Sequence, residues 1–305
     1  MTDQNNDTKT IKLQGVYPPI PTPFDNNGTV AEEALKKNLS FLNRFDLRGY
    51  VVLGSNGEFV LLSKDEKLQV LRTAREAIPM NKLLIAGTGC QSTRETIELT
   101  KGAAGIGADA ALVLPPHYYK KLMTLEVLRT HFFAAADASP IPVLVYNMPA
   151  CTGIDLDEDT IAALSEHHNI IGLKDSSGNV TKIGALNNRL EGFQILAGSG
   201  SFFLPALSVG AVGGIMALAN IAPRECLTLH DHFLSGRTES ARELQQKMIP
   251  VNAAVTSRWG VPALKAAMDF LGLYGGPVRS PLLPVSPEIL TKLKEILNEG
   301  NITSQ

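Results

Sequence analysis

One pattern governs what this chain can become. A short apolar run followed by a longer stretch of helical spacing repeats eight times between Gly15 and Ala219. The runs are GVYPPIP (15–21), GYVVLG (49–54), LLIAG (83–87), AALVL (110–114), PVLVY (142–146), IIGLK (170–174), FQILAG (193–198) and GGIMALA (213–219). Each repeat takes roughly 26 residues, which suits a strand, a helix and two short loops. Several runs are apolar at every position instead of alternating, so their strands are expected to be covered on both faces, as in a parallel sheet. Eight such units in one uninterrupted chain predict an α/β fold, a closed (β/α)8 TIM barrel. An open doubly wound sheet is the other way to use the same units.

Helix starts are marked independently. Thr29 with Glu32, Ser63 with Glu66 and Ser92 with Glu95 have capping-box spacing, in which the hydroxyl accepts from a first-turn N–H and the glutamate reaches back. Asp157-Glu158-Asp159 puts acid at the positive end of another helix, and Ser286-Pro287-Glu288 places proline at a first helical position. After Ala219 the patterns are helical only, at 222–235, 238–256, 259–271 and 286–297. The expected organisation is a polar, disordered tail over 1–12, a barrel over 13–235, and a C-terminal helical bundle over 236–305 packed on the barrel. No Gly/Ser- or Pro-rich linker separates the last two.

Composition narrows the function classes. The 305 residues are 44% apolar and 19% charged with a net charge of −2, so a large core can form. Nothing in that balance attracts nucleic acid or an anionic membrane. No apolar run approaches the roughly 18 residues of a membrane span, and MTDQNNDTKTIK lacks the apolar stretch of a secretory signal. Three cysteines, Cys90, Cys151 and Cys226, are too few for a disulfide framework, and a cytoplasmic location is expected.

In such a barrel, chemistry collects at the C-terminal strand ends. Most lysines here lie on helical or terminal polar stretches, but Lys174 closes the apolar run IIGLK. Desolvation disfavours an ammonium, and a neutral amine attacks a ketone to give a Schiff base. A structural lysine paired with Glu58 or Asp175 fits the same position equally well. Tyr146 closes the preceding run, where a phenol beside an amine relays the protons of imine formation. An isolated tyrosine there is more often an interface residue with a satisfied hydroxyl. Ser55 and Asn56 lie in a glycine-flanked turn, as short donors for a carboxylate or as ordinary turn residues.

Other constellations weigh less. Gly87-Thr-Gly89-Cys-Gln-Ser92 imitates a dinucleotide-binding turn, but its third position is serine, and Asp109 begins the next run instead of ending it. The acids at 155–159 are explained by the helix start that follows them. His230 and His232 are two apart and share no helical face, and His167-His168 precedes a strand at the wrong barrel end. No metal site is expected.

Four motifs carry a family resemblance: GSNGEF (54–59), YNMPACTG (146–153), GLKDSSG (172–178) and GAVGGIMALAN (210–220). From PPIPTPF (18–24) to the C-terminal helices, the chain resembles the dihydrodipicolinate synthase / N-acetylneuraminate lyase family of class I aldolases. The resemblance implies a barrel with a C-terminal helical bundle, assembled as a homotetramer (a dimer of dimers), with Lys174 as the Schiff-base lysine. It implies that Ser55 and Asn56 hold a pyruvate-type carboxylate, that Tyr146 relays protons, and that Tyr118 completes a neighbouring subunit's site. Tyr119 is the less favoured choice for that last role.

One departure redirects the activity. The synthases carry YNxPxRTG, whose arginine grips the second substrate's carboxylate, and here that position is Cys151. A thiol cannot make a bidentate guanidinium pair. GSNGEF, KDSSG, LAGSG (196–200) and NAAVT (252–256) are most similar to the 4-hydroxy-2-oxoglutarate aldolase branch. The implied reaction is cleavage of a 4-hydroxy-2-oxo acid to pyruvate and an aldehyde such as glyoxylate, with no metal or organic cofactor; beyond copies of itself, the expected partner is a small 2-oxo acid substrate. Ser176, Ser199 and Asn220 are the candidates by position for the distal carboxylate. The rivals are dihydrodipicolinate synthase, a 2-keto-3-deoxy sugar-acid aldolase or dehydratase, and, from other classes, a non-catalytic ligand-binding barrel or a nicotinamide-dependent oxidoreductase.

Overall fold

All eight apolar runs form parallel strands: β1 (Gly15–Tyr17), β2 (Gly49–Val52), β3 (Leu83–Gly87), β4 (Ala110–Val113), β5 (Val143–Asn147), β6 (Ile170–Asp175), β7 (Gln194–Ala197) and β8 (Gly213–Ile215). This is a computed structural model that describes residues 11–303. From β2 to β8 each strand pairs with the next, and β8 returns to β1. Backbone bonds bridge the remaining gap between β1 and β2: Arg48 N–H to Val16 O (3.1 Å), Val51 N–H to Pro18 O (3.1 Å) and Ile20 N–H to Val51 O (2.8 Å). The ring closes, so the open sheet is excluded.

Closure explains the uninterrupted apolar runs. One face of each strand fills the lumen, where Tyr17, Val51, Ile85, Leu112, Leu144, Leu196 and Ile215 pack together. The other face packs under the helices that follow the strands. Burial on both sides leaves no place for polar alternation.

The helices connecting the strands are Glu32–Leu42, Lys64–Ala77, Thr93–Ile106, Leu125–Ala138, Glu158–Ser165, Val180–Arg189 and Phe203–Ser208, with Pro223–Leu234 after β8. Ser63 and Glu66 form the reciprocal capping box. Ser92, Asp157 and Ser286 each accept a first-turn N–H. The Thr29–Glu32 box does not form. The first helix begins at Glu32 itself, Thr29 N–H donates to Asp25 in a turn (2.8 Å), and the Glu32 carboxylate crosses to Gln69 (2.7 Å) and Thr73 on the next helix. A tertiary pair has taken the acid that the local motif would have used.

The eighth run, read to 219, is strand only to Ile215 and continues as the 3-10 turn Ala217–Asn220. Its partner β1 is equally short, because Pro18 and Pro19 follow it and cannot donate to a ladder. Of the tail expected over 1–12, residues 1–10 lie outside the described residues. The carbonyls of Ile11 and Lys12 accept from Gln194 (2.8 Å) and Arg48 (3.1 Å), at the floor of the barrel.

The C-terminal helices Thr238–Ala253, Gly260–Phe270 and Pro287–Glu299 follow, the first extended by a π turn over Ala254–Arg258. They bury Leu264, Met268, Leu293 and Leu297 in the same core as the barrel helices. Among the described residues, no helix is long and apolar enough to cross a membrane.

Candidate active site

β5 and β6 pair in parallel with Tyr146 opposite Lys174 and Asn147 opposite Asp175. Alternation along a strand then sends 146 and 174 to one face and 147 and 175 to the other. Lys174 and Tyr146 are buried, and Lys174 Nζ lies 4.0 Å from the Tyr146 ring centroid. The Tyr146 hydroxyl is 3.4 Å from Ser55 Oγ, across the barrel mouth on the loop after β2. Amine, phenol and serine hydroxyl thus form a short chain of exchangeable protons.

The structural alternative for Lys174 fails because both proposed carboxylates are taken. Glu58 pairs with Lys265 (2.5 Å) and accepts from Arg279 N–H (2.8 Å). Asp175 pairs with Lys182 (3.2 Å) and accepts from Asn147 Nδ2 (2.9 Å) and Ser177 N–H (2.8 Å). Among the described residues Lys174 has no carboxylate partner, which leaves its amine available for chemistry.

Both pairs also hold the site in shape. Leu53 and Glu58 bracket the Ser55–Asn56 turn in the left-handed region, with φ of 63° and 53°. Non-glycine residues persist there only when surrounding contacts over-determine them. The Glu58 pair supplies such contacts, reinforced by Arg279 bound to Glu66 (2.7 Å) and to the Leu61 carbonyl (3.0 Å). Behind β5 and β6, Lys182 also meets Asp155 (2.6 Å), and Asn147 donates to Asp155 (2.7 Å) while accepting from Leu156 N–H (3.0 Å). Asn147, Asp175 and Lys182 are buried and partnered, with Asp155 at the network's exposed edge, so it locks the two strands that carry Lys174 and Tyr146.

Asn56 Nδ2 and Ser176 Oγ are buried and have no partner among the described residues. Buried polar atoms are normally satisfied, so these are the atoms a bound carboxylate would serve. Gly198 makes room for Ser176: a Cβ there would sit 1.9 Å from its Oγ. Ser199 and Asn220 are more committed. Ser199 Oγ accepts from Asn252 (2.9 Å) and Ser201 N–H (3.3 Å). Asn220 Nδ2 donates to the carbonyls of Pro19 (3.0 Å) and Ala217 (3.1 Å), leaving only Oδ1 unpartnered.

Cys151 stands beside Ser55, under the influence of the Lys174 charge. Cys151 is exposed, yet desolvation by neighbouring atoms pushes its thiol pKa up, outweighing the pull of nearby Ser55 and of the lysine charge in the other direction. At neutral pH it is a neutral group. Tyr118 is not drawn into the site of its own chain. It is 78% exposed and edge-on to Tyr119, with its backbone N–H held by Gln91 (2.9 Å). Among the described residues, no three His, Cys, Asp or Glu side chains converge on a point where a metal ion would sit.

Lys265, Arg279, Lys182, Asn147 and Asp155 were not recognised from sequence as parts of this site. Lys265 carried a signal, since it interrupts the apolar stretch PALKAAM. A cation inside a helix's apolar face implies a buried counter-charge.

The dihydrodipicolinate synthetase family matches residues 12–300. A probable mitochondrial 4-hydroxy-2-oxoglutarate aldolase of Emericella nidulans is 40% identical over 294 residues, covering 94% of this chain and 95% of that protein. A 4-hydroxy-tetrahydrodipicolinate synthase of Methanothrix thermoacetophila is 35% identical over 289 residues, covering 94% and 97%. Among solved structures, a chloride-inhibited dihydrodipicolinate synthase from Acinetobacter baumannii complexed with pyruvate superposes with a TM-score of 0.91. It is 33% identical and covers 95% of this chain and all of that one.

Proposed function

The chain belongs to the dihydrodipicolinate synthetase family and is an enzyme of the lyase class; from there we propose that it cleaves 4-hydroxy-2-oxoglutarate to pyruvate and glyoxylate through a Schiff base on Lys174. The observation that carries this reading is a buried lysine with no counter-ion among the described residues, stacked on a tyrosine whose hydroxyl reaches Ser55.

The neutral Lys174 amine attacks C2 of the oxo acid. Tyr146, in exchange with Ser55, delivers the proton with which the carbinolamine loses water. The resulting iminium withdraws electrons from the C3–C4 bond. The Tyr146 phenolate left by that dehydration takes the C4 hydroxyl proton, which releases glyoxylate and leaves an enamine; the proton is returned to C3 and the iminium is hydrolysed to pyruvate. Asn56, through its unpartnered Nδ2, and the Ser55 turn hold the C1 carboxylate, and Ser176 faces the rest of the substrate. The lysine supplies the electron sink, so the reaction needs no cofactor. Tyr118 belongs to a neighbour's site: it lies in an exposed apolar patch with Tyr119, Leu122 and Leu125 that suits burial between subunits of a homo-oligomer. The three unpaired thiols suit a cytoplasmic enzyme.

Cys151 supports the aldolase reading over the other activity named among the relatives. Aspartate semialdehyde carries a carboxylate that must be desolvated, and a neutral thiol does not replace its water. A lost charge-assisted pair costs about 2–5 kcal/mol, roughly 30-fold to several thousand-fold in specificity. The test is kcat/KM on the unmodified enzyme for 4-hydroxy-2-oxoglutarate cleavage and for condensation of pyruvate with aspartate semialdehyde. Cleavage is expected to exceed condensation by that margin. A better condensation reaction would show that another cation serves the semialdehyde.

A further inference from the structure

A 4-hydroxy-2-oxo diacid brings a second carboxylate into the barrel mouth, and Cys151 offers it no charge. Most cations near the site are already spent: Lys182 on Asp155 and Asp175, Lys265 on Glu58, and Arg279 on Glu66. Lys120 is different. It begins the short 3-10 helix Lys120–Leu122 after β4 and makes no ion pair among the described residues. Its side chain crosses to the loop after the neighbouring strand β5 and lies over Gly153. A Cβ on Gly153 would stand 3.4 Å from Lys120 Nζ and 3.5 Å from its Cδ. Gly153 also has φ +65°, a backbone conformation that favours glycine, and the lysine end lies within ordinary van der Waals reach of it. Gly153 closes the turn Pro149–Thr152, which presents Cys151 to Ser55 and Lys174.

We propose that Lys120 is a specificity-determining residue of this enzyme, holding the distal carboxylate of a five-carbon 2-oxo diacid while Lys174 holds C2. This rests on the Schiff-base reading above and adds to it the missing positive charge. Lys120 is exposed, so solvent screens the contact, and a charge-assisted bond of about 1.5 kcal/mol corresponds to roughly tenfold in affinity.

The test uses 2-oxoglutarate and 2-oxopentanoate, which share a carbon chain and differ in the distal carboxylate. Neither carries the C4 hydroxyl that cleavage needs. Each is titrated against the enzyme with borohydride, and the adduct on Lys174 is quantified by mass spectrometry. The wild type should trap 2-oxoglutarate at lower concentration than 2-oxopentanoate. Lys120→Met should weaken 2-oxoglutarate trapping about tenfold and leave 2-oxopentanoate unchanged. Lys120→Arg should restore the preference, and Lys121→Met should not disturb it. A preference that survives Lys120→Met, an equal loss on both acids, or no preference in the wild type overturns the assignment of Lys120 while leaving Lys174 in place. If no oxo acid, pyruvate included, is trapped on Lys174, the Schiff-base reading falls, and the role of Lys120 with it.

Discussion

The buried pair of Glu58 and Lys265 makes a quantitative test of how the C-terminal helices support the site. Both side chains are 1% exposed and their charged atoms are 2.5 Å apart. Lys265 also donates to the Pro277 carbonyl (2.9 Å) and lies 4.4 Å from the Phe24 ring centroid. Lys265→Met keeps the stem and its packing but removes the charge. The Glu58 carboxylate is then left buried with only the Arg279 N–H as a donor. Removing one partner of a buried pair costs about 3–5 kcal/mol, because the remaining charge is uncompensated. At about 2 °C per kcal/mol for a domain of this size, Tm should fall roughly 6–10 °C. Glu58→Gln alone should cost a similar amount. The double variant Glu58→Gln/Lys265→Met should recover most of the loss, with a coupling energy above about 2 kcal/mol. Denaturant unfolding of the four proteins measures this directly. The Ser55–Asn56 turn hangs on Glu58, so Lys265→Met should also weaken pyruvate trapping on Lys174 at temperatures where the protein stays folded. Losses within about 1 kcal/mol, or additive single and double variants, would refute the view that this ion pair holds the loop.

Three further outcomes are expected. Tyr146→Phe should lower kcat by about 10²–10⁴ with little change in pyruvate binding, and near wild-type turnover would remove the phenol from the proton relay. Co-assembled Lys174→Ala and Tyr118→Phe chains should regain part of the activity each lacks alone; no recovery after verified subunit exchange would mean that each chain builds its own site. Burial holds the His131 pKa down from 6.5 to about 4. The unfolded imidazole therefore takes up a proton before the folded one does, and stability falls as pH drops through that window, by about 3 kcal/mol. His131→Gln should flatten the decline between pH 6.5 and 4, and an unchanged slope would assign it to other groups.

The barrel is legible in the sequence because its information is local. An apolar run covered on both faces, a capping serine and a proline at a first turn each act within a few residues, and repetition multiplied the signal eightfold. Lys174 and Tyr146 were legible for the same reason: a polar residue ending an apolar strand is visible in the strand itself, and in-register pairing of β5 with β6 sets the two side by side. What joins distant segments was not legible. Lys265 reaches Glu58, Lys182 reaches Asp155, and Lys120 reaches Gly153 only because barrel closure brings loops and helices of different units together. The same closure diverted Glu32 from a local cap to a cross-helix bond, since Gln69 and Thr73 on the next helix competed for its carboxylate. Local pattern alone marks the repeating units and singles out Lys174 at its strand end as a candidate nucleophile. Which charges are spent inside the fold and which remain for substrate was decided by the tertiary structure, because ion pairing is a through-space contest that opens only once the ring has closed.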